Sequence, residues 1–160
     1  MAIQVQAPHD VPPGTDNTVF MAGSIEMGVA ENWQTRLVNA FDDEPNLTFL
    51  NPRRDDWDSS WVQSIHNAQF NQQVTWELDG LEQSDMVLFY FDPDTKSPIT
   101  LLELGFVAGF RNPYNVVVCC PMGFWRKGNV DILCKRWGIQ VVETMDELIV
   151  AVKEKLYGES

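Results

Sequence analysis

Short apolar runs and longer helix-like stretches alternate along the chain. Five runs of four to six residues are rich in Val, Phe and Ile and are bounded by Gly, Pro, Asn or Asp, which is typical of buried β-strands. They cover residues 18–22, 47–50, 86–91, 115–120 and 139–142. After each run the pattern predicts a helix, at about residues 29–42, 62–83, 98–111, 126–136 and 144–157.

The alternation of these elements defines the expected fold. Strand and helix alternate five times, which predicts an α/β protein with a parallel sheet and helices on both faces. We expect one flavodoxin-like (Rossmann-like) domain over residues 18–158, with five strands in the order 2-1-3-4-5. Residues 1–17 are polar and rich in proline, so they predict an N-terminal arm or loop. In such a sheet a ligand binds at the carboxyl ends of the strands.

Two of the predicted helices carry local start signals. Pro98 takes the favoured first position of the third helix, and Ser97 before it is the predicted N-cap. Thr144 and Glu147 form a capping-box pattern at the start of the fifth helix.

Composition and charge limit the classes of function. The 160 residues are 44% apolar and 21% charged, which is ordinary for a globular protein. A net charge of -12 argues against nucleic-acid binding, because phosphate backbones need compensating Lys and Arg. No run approaches the roughly 18 apolar residues that span a bilayer. Signal-peptide features are missing at the start, and the odd set of Cys119, Cys120 and Cys134 predicts reduced thiols. We therefore expect a cytoplasmic protein without a membrane partner.

The most informative single residue is Glu103. It interrupts an otherwise apolar helical stretch, residues 99–110, close to the start of the third helix. Burial of a carboxylate costs several kcal/mol unless the group is paired or hydrogen-bonded, so a core that accepts it usually gains function. The alternative is a structural Glu that pairs with a nearby Arg or faces a solvated gap. A functional, ionised Glu103 predicts hydroxyl or backbone N–H partners.

Two further segments carry candidate chemistry. Gly23 and Ser24 follow the first predicted strand, where a tight turn, a hydroxyl and the N-terminus of the next helix can receive a polar ligand. By itself this is also compatible with an ordinary strand-to-helix turn. Glu77 and Asp79 lie on the second helix on different flanks, so at most one of them faces the site. The predicted core stripe of that helix consists of Phe70, Val74, Leu78 and Leu81.

These segments together resemble the nucleoside 2-deoxyribosyltransferase superfamily. The similarity rests on Gly23-Ser24-Ile25, on Leu102-Glu103-Leu104-Gly105, and on the stretches at residues 51–57 and 123–129, in that family's order along residues 18–150. The superfamily also contains deoxynucleoside monophosphate N-glycosidases. The closest resemblance is to the nucleoside 2-deoxyribosyltransferase-like branch.

The resemblance implies roles for the catalytic candidates. Glu103 matches the glutamate that forms a covalent glycosyl intermediate, and Glu77, with Asp79 as the alternative, matches the acid that handles the leaving base. Ser97 lies six residues before Glu103, where transferases often have Asp and the monophosphate enzymes have Ser. No metal and no organic cofactor are predicted.

The resemblance also implies ligand contacts and partners. Gly23 and Ser24 match the ligand-cradling turn. Asn129 lies in a region that can contribute to a neighbouring subunit's site in this superfamily, so it is a candidate for contacting the sugar, with helix capping as the alternative. A homodimer or higher homo-oligomer is therefore expected. Trp57 or Trp61 is a candidate for stacking on a base, with the alternative that these tryptophans only anchor their charged loop. Glu26 stands where the monophosphate enzymes have Arg, which leaves recognition of a substrate phosphate open.

The predicted function is therefore cleavage or transfer at the N-glycosidic bond of a (deoxy)nucleoside or nucleotide, with water or a free nucleobase as acceptor. Two alternatives remain from the sequence. One is an N-glycosidase that acts on another nucleotide such as NAD, and the other is a nucleotide sensor without turnover.

Overall fold

The computed structural model describes residues 2–24, 32–44, 46–54 and 57–158. Glu26 lies outside these residues. The strands are β1 Ile3–Gln6, β2 Thr18–Gly23, β3 Thr48–Asn51, β4 Met86–Tyr90, β5 Val116–Cys119 and β6 Gln140–Val142. The helices are α1 Trp33–Asn39, α2 Ala68–Gln83, α3 Pro98–Ala108, α4 Lys127–Trp137 and α5 Met145–Tyr157, with a 3-10 turn at Pro113–Asn115.

All strand pairs are parallel, and the sheet order is β1-β3-β2-β4-β5-β6. The five predicted strands correspond to β2 to β6, and their predicted order, 2-1-3-4-5, is confirmed. The predicted number of strands is wrong, because the sheet of the described residues has six strands and five were predicted. Residues 3–6, within the segment predicted as an arm or loop, form β1 and extend the sheet beside β3. The order reverses between β2 and β4, which places a topological switch point there.

Helices cover both faces of the sheet, as predicted. The core on one face joins α1 and α5 to the sheet through Trp33, Leu37 and Leu148. The core on the other face joins α2, α3 and α4 to the sheet through Leu81, Leu104 and Val130. Neighbouring β2 residues alternate between the two cores, because successive side chains of a strand point to opposite faces.

The second helix begins later than predicted and turns a different face to the sheet. It starts at Ala68, because the side chain of Asn67 accepts a hydrogen bond from the Phe70 backbone N–H and caps the helix there. The predicted core stripe is only partly right. Leu81 is fully buried, but Leu78 is 41% exposed, and Gly80 lies beside the sheet instead.

The start signals of α3 and α5 are confirmed in position. Pro98 opens α3, and Thr144 and Glu147 form the complete capping box of α5. Cys119, Cys120 and Cys134 are free and buried. Within the residues described, no helix combines the length and the apolar character needed to cross a membrane.

Two helical glycines should respond to alanine in opposite directions. A Cβ at Gly80 would overlap the ring of Phe20, whereas a Cβ at Gly105 meets no atom within 4 Å. We expect Gly80→Ala to destabilise the fold by about 1–3 kcal/mol through overpacking. Gly105→Ala should stabilise it by about 0.5–1 kcal/mol through helix propensity alone. Urea unfolding of both variants measures the difference, and equal shifts would contradict the packing of α2 on β2.

Candidate active site

A cavity of about 610 Å³ lies at the carboxyl ends of β2 and β3, between α2 and α3. Gly23 and Ser24 reach it from the end of β2, and residues 52–54 reach it from the end of β3. The loop after β4 supplies Ser97. The cavity therefore lies at the switch point of the sheet, where open parallel sheets bind ligands.

One face of α2 forms a wall of this cavity. Phe70, Gln73, Val74 and Glu77 line it, and their spacing of three and four residues puts them on one side of the helix. Gln73 is 3% exposed and donates from Nε2 to the Pro52 carbonyl (2.9 Å) and to Glu77 Oε2 (2.7 Å). The amide thus links the cavity-lining face of α2 to the segment that follows β3.

The first turns of α3 form the opposite wall. Ser97, Pro98, Thr100 and Glu103 line the cavity from this side, and Glu103 is 9% exposed. Its position follows from the apolar helix around it, since Leu104 and Val107 anchor α3 in the core. The buried acidic residue predicted from the sequence thus reaches the cavity.

Glu77 and Glu103 both line the cavity, and their carboxyl groups share a hydrogen bond. Burial raises the pKa of Glu103 well above its ordinary value of 4.5, and the charge and hydrogen bond of Glu77 raise it further. Burial also raises the pKa of Glu77, while the hydrogen bonds from Gln73 and Glu103 act against this increase. Because the pKa of Glu103 is raised, this residue keeps its proton above the ordinary carboxyl range, with the Glu103 carboxyl as donor and Glu77 as acceptor.

The partner of Glu103 differs from the one expected. The sequence predicted hydroxyl or backbone N–H groups around an ionised carboxylate, and the partner within the described chain is the Glu77 carboxyl. The physical reason is that two buried carboxylates cannot both be charged at short distance, so sharing a proton offsets their desolvation.

Three hydroxyl groups connect the end of β2 to the loop after β4. Ser24 Oγ lies 3.0 Å from Thr95 Oγ1 and within hydrogen-bond distance of Ser97 Oγ. The hydroxyl oxygens of Thr95 and Ser97 are 2.6 Å apart. Ser24 Oγ also accepts from the Asp92 backbone N–H at 2.9 Å. The cluster is buried and fixes two loops from opposite sides of the switch point.

Ser97 stands at the N-cap position as predicted, but its side chain makes no capping bond to α3. Its backbone is left-handed, with φ 48° and ψ 52°, which a residue other than glycine rarely adopts. This conformation accompanies the hydroxyl contacts with Ser24 and Thr95. Such strain persists where the surroundings hold it, and it is concentrated at functional sites.

Gly23 is required by packing at the end of β2. A Cβ there would lie 2.5 Å from the Tyr90 carbonyl and 2.6 Å from the Trp33 ring. The Trp33 indole N–H also donates to the Ser24 carbonyl at 3.1 Å. The sequence predicted close approach of a ligand at this glycine, and the structure adds a close approach of protein atoms.

Aromatic and basic side chains complete the rim. Trp57 is 38% exposed, lines the cavity, and packs against Trp61 and Phe70, with ring centroids 4.9 and 6.4 Å apart. Arg53 and Arg54 also line the cavity, and the Arg54 guanidinium lies 4.9 Å from the centroid of the Trp61 ring. This rim offers a flat apolar surface beside positive charge.

Two predicted site residues lie outside the cavity. Asp79 is exposed on α2 and does not line the cavity, so the structure brings Glu77, and not Asp79, next to Glu103. Asn129 lines a separate groove of about 450 Å³ between α3 and α4, together with Trp125 and Arg126. Pro98 borders both the groove and the cavity.

Gln73 lines the cavity although the sequence pattern does not single it out. It stands in the polar run Asn71-Gln72-Gln73, and nothing in composition separates it from its neighbours. The available signal was its spacing of four residues from Glu77, which puts both side chains on one helix face. Among the described residues, no group of three or more His, Cys, Asp or Glu side chains is arranged to hold a metal ion.

The fold and the cavity define a class of α/β protein with a buried carboxyl pair at the switch point of a parallel sheet. Residues 16–124, more than half of the chain, match the family described as nucleoside 2-deoxyribosyltransferase like. The chain therefore belongs to that family. Among proteins of curated function, none matches it.

Proposed function

We propose that the protein cleaves or transfers the N-glycosidic bond of a nucleoside or nucleotide through a covalent glycosyl intermediate on Glu103. The observation that carries this proposal is the hydrogen-bonded pair of Glu77 and Glu103, buried in a cavity at the switch point. Family membership supports glycosyl transfer as the reaction class.

The first step needs one carboxylate and one carboxylic acid. A Glu103 oxygen bonds to C1 of the sugar as the C1–N bond breaks, and the bonding electrons pass to the base nitrogen. Glu77 gives its proton to the departing base, which leaves neutral. At rest the shared proton is on Glu103, so its transfer along the hydrogen bond to Glu77 produces both required forms at once.

In the second step Glu77 acts as a base instead of an acid. Water or a second nucleobase attacks C1, the ester bond to Glu103 breaks, and Glu77 takes the proton of the attacking group. Two inversions at C1 give net retention. The proton count of the pair is the same before and after the cycle, so no cofactor is required by this chemistry.

The remaining contacts follow from the rim of the cavity. We assign the sugar to the side of Gly23, Ser24 and Ser97, where hydroxyl groups and backbone N–H groups are available. Trp57 would stack on the base. These assignments are supported by the shared cavity of these residues.

We extend the proposal to a homo-oligomer in which Asn129 reaches the sugar bound by a neighbouring copy. Ile99, Leu102 and Phe106 on α3 and Phe110 just after it are exposed apolar side chains, between 39% and 69% exposed, and the groove that holds Asn129 borders the same helix. A monomer rarely exposes such a group without a partner. The buried free thiols fit a cytoplasmic location.

The pH dependence of catalysis should reveal the shared proton. We expect a bell-shaped profile of kcat/KM, because the pair is active only with one proton. Activity falls at low pH when both carboxyls are protonated, and at high pH when both are ionised. The alkaline limb should lie well above the ordinary carboxyl range, because burial and the neighbouring charge raise the pKa of Glu103. A profile that rises through pH 4–5 and shows no alkaline limb would contradict the shared proton.

A chromatographic assay tests the function itself. The purified protein is incubated with nucleosides and nucleoside monophosphates, NAD among the substrates, with and without a second free base. Base released without an acceptor identifies a hydrolase, and new nucleoside formed only with an acceptor identifies a transferase. If ligands bind but every substrate stays intact, the proposal fails and a sensor role replaces it.

A further inference from the structure

Two hydrogen bonds determine the orientation of the Gln73 side-chain amide on α2. Nε2 donates to the Pro52 carbonyl at 2.9 Å and to Glu77 Oε2 at 2.7 Å. A reversed amide would put Oε1 against the Pro52 carbonyl, and two carbonyl oxygens cannot share a hydrogen bond. Gln73 therefore offers Glu77 an N–H donor and not an acceptor. At 3% exposure, the amide is shielded from water that would compete for these contacts.

The N–H donor from Gln73 favours the charged form of Glu77. A hydrogen bond to an ionised carboxylate is stronger than one to the neutral acid. Burial raises the pKa of Glu77, and the Gln73 amide lowers it. The causes that act on Glu103 are burial, the charge of Glu77 and its hydrogen bond, and all of them raise the pKa of Glu103. In the resting site the proton therefore lies on Glu103.

The hydrogen bond from Gln73 gains importance during the proposed cycle. Once Glu77 has given its proton to the base, it is a carboxylate, and Glu103 is an ester without a proton to donate. The hydrogen bond from Glu103 is then lost, whereas Gln73 keeps its N–H on Glu77. The charge left on Glu77 is thus stabilised by a donor that the reaction does not consume.

We propose that Gln73 is a positioning residue, which holds Glu77 as the acceptor of the carboxyl pair and stabilises the carboxylate that Glu77 becomes when it protonates the base. This inference rests on the proposed function and adds a residue to its mechanism. Gln73 acts through Glu77, so it need not touch the substrate.

NMR titration of the glutamate carboxyl carbons tests the proposal without turnover. Wild type, Gln73→Met and Gln72→Met are labelled with carbon-13 at these carbons and followed as pH is raised. The titration midpoint of Glu77 should rise by about one to two pH units in Gln73→Met, the effect of one hydrogen bond to a carboxylate. Gln72→Met changes an exposed neighbour on α2 and should leave the midpoint unchanged. An unchanged midpoint in Gln73→Met would overturn the proposal.

The other charged groups around Glu77 are the same in all three proteins. Among the described residues that line the cavity they are Glu103 on α3 and Arg53 and Arg54 after β3. A shift confined to Gln73→Met is therefore an effect of the amide. A wild-type titration in which Glu77 keeps its proton to higher pH than Glu103 contradicts the proposed resting state.

Kinetics distinguish positioning from a structural role. With 2′-deoxyguanosine, Gln73→Met should lower kcat about 10-fold, leave KM within about twofold, and move the acid limb of the pH profile upward by about one to two units. The base of 7-methyl-2′-deoxyguanosine is cationic and leaves neutral without a proton from Glu77, so its cleavage should be nearly unchanged. A structural role would slow both substrates equally, and that result is evidence against positioning.

The two proposals fail separately. If the wild type cleaves no nucleoside, the catalytic proposal fails, and the carboxyl titration still decides whether Gln73 sets the charge state of Glu77. If the wild type is active but Gln73→Met matches Gln72→Met in midpoint and kcat, only the inference fails. Should Gln73→Met not fold, the wild type decides. Its Gln73 side-chain amide protons should shift with pH at the Glu77 midpoint, and amide signals that do not follow this titration refute the inference.

Discussion

Replacement of Glu103 by Gln is expected to abolish base release while it raises thermal stability. The amide cannot form the glycosyl ester, so kcat should fall by at least about 10³-fold. It can still donate an N–H to the Glu77 carboxylate in the place of the protonated Glu103. The variant therefore keeps the hydrogen bond of the resting site and loses only the ionisable group.

The gain in stability follows from the raised pKa of Glu103. The folded state holds this proton more tightly than the unfolded chain, in which the ordinary value of 4.5 applies. The contribution of Glu103 to stability is thus fully present below pH 4.5 and is lost as pH rises through the raised pKa. Glutamine has no proton to lose. At pH 8 the variant should be more stable by about 1–2 kcal/mol, or about 2–8 °C in Tm, and at pH 4 the difference should vanish.

Differential scanning calorimetry at both pH values, beside the chromatographic assay, checks this prediction. Glu154→Gln changes an exposed glutamate on α5 and serves as the control, with no expected change in Tm or turnover. A Glu103→Gln protein that turns over at the wild-type rate would remove Glu103 from the mechanism. A variant less stable at pH 8 than the wild type would contradict its buried, protonated state.

Replacement of Glu77 by Gln should lower kcat by about 10²–10⁴-fold, the usual contribution of a general acid. The loss should depend on the base. A nucleoside such as 7-methyl-2′-deoxyguanosine releases a neutral base without added protonation, so its rate should be nearly preserved in the first step. Asp79→Asn changes an exposed carboxylate two residues away on the same helix, and it should retain activity within about twofold.

Comparison of Glu77→Gln with Glu103→Gln also tests which carboxyl is the nucleophile. Burst kinetics with the methylated substrate should show a covalent intermediate in Glu77→Gln and none in Glu103→Gln. The opposite pattern would exchange the two roles. Equal loss in Asp79→Asn and Glu77→Gln would indicate that both act through the stability of α2.

The sheet was predictable because its strands are buried on both faces. Val117, Val118 and Phe89 are completely buried and stand in continuous apolar runs, which distinguish a central parallel strand from an amphipathic helix. Strand β1 carries no such signal, since Ile3 is 61% exposed and its neighbours are polar. Pairing with β3 fixes this strand, and pairing across more than forty residues cannot be inferred from four residues of which only Ile3 and Val5 are apolar.

A cavity residue was predictable from the sequence only where a charged residue interrupts an apolar stretch. Glu103 stood out as a charge within an apolar helix, whereas Gln73 and Thr95 are polar residues in polar surroundings along the chain. Their importance comes from tertiary contacts with Pro52 and Ser24. The N-cap prediction for Ser97 gave its position but not the contacts of its side chain, for a related reason. The left-handed backbone of Ser97 is imposed by the surrounding loops and not by its own preference.

The arrangement of the switch point has a consequence for the order of events during synthesis. Ser24 and Ser97 are 73 residues apart along the chain, and β2 gains its second neighbour only when β4 is present. Contacts over such separations form slowly, because the entropy of closing the loop is lost before any contact compensates for it. A nascent chain that ends with β4 has neither Glu103 nor Thr95 and Ser97, the second half of the hydroxyl cluster. Assembly of the Glu77–Glu103 pair is therefore a late event that coincides with closure of the centre of the sheet.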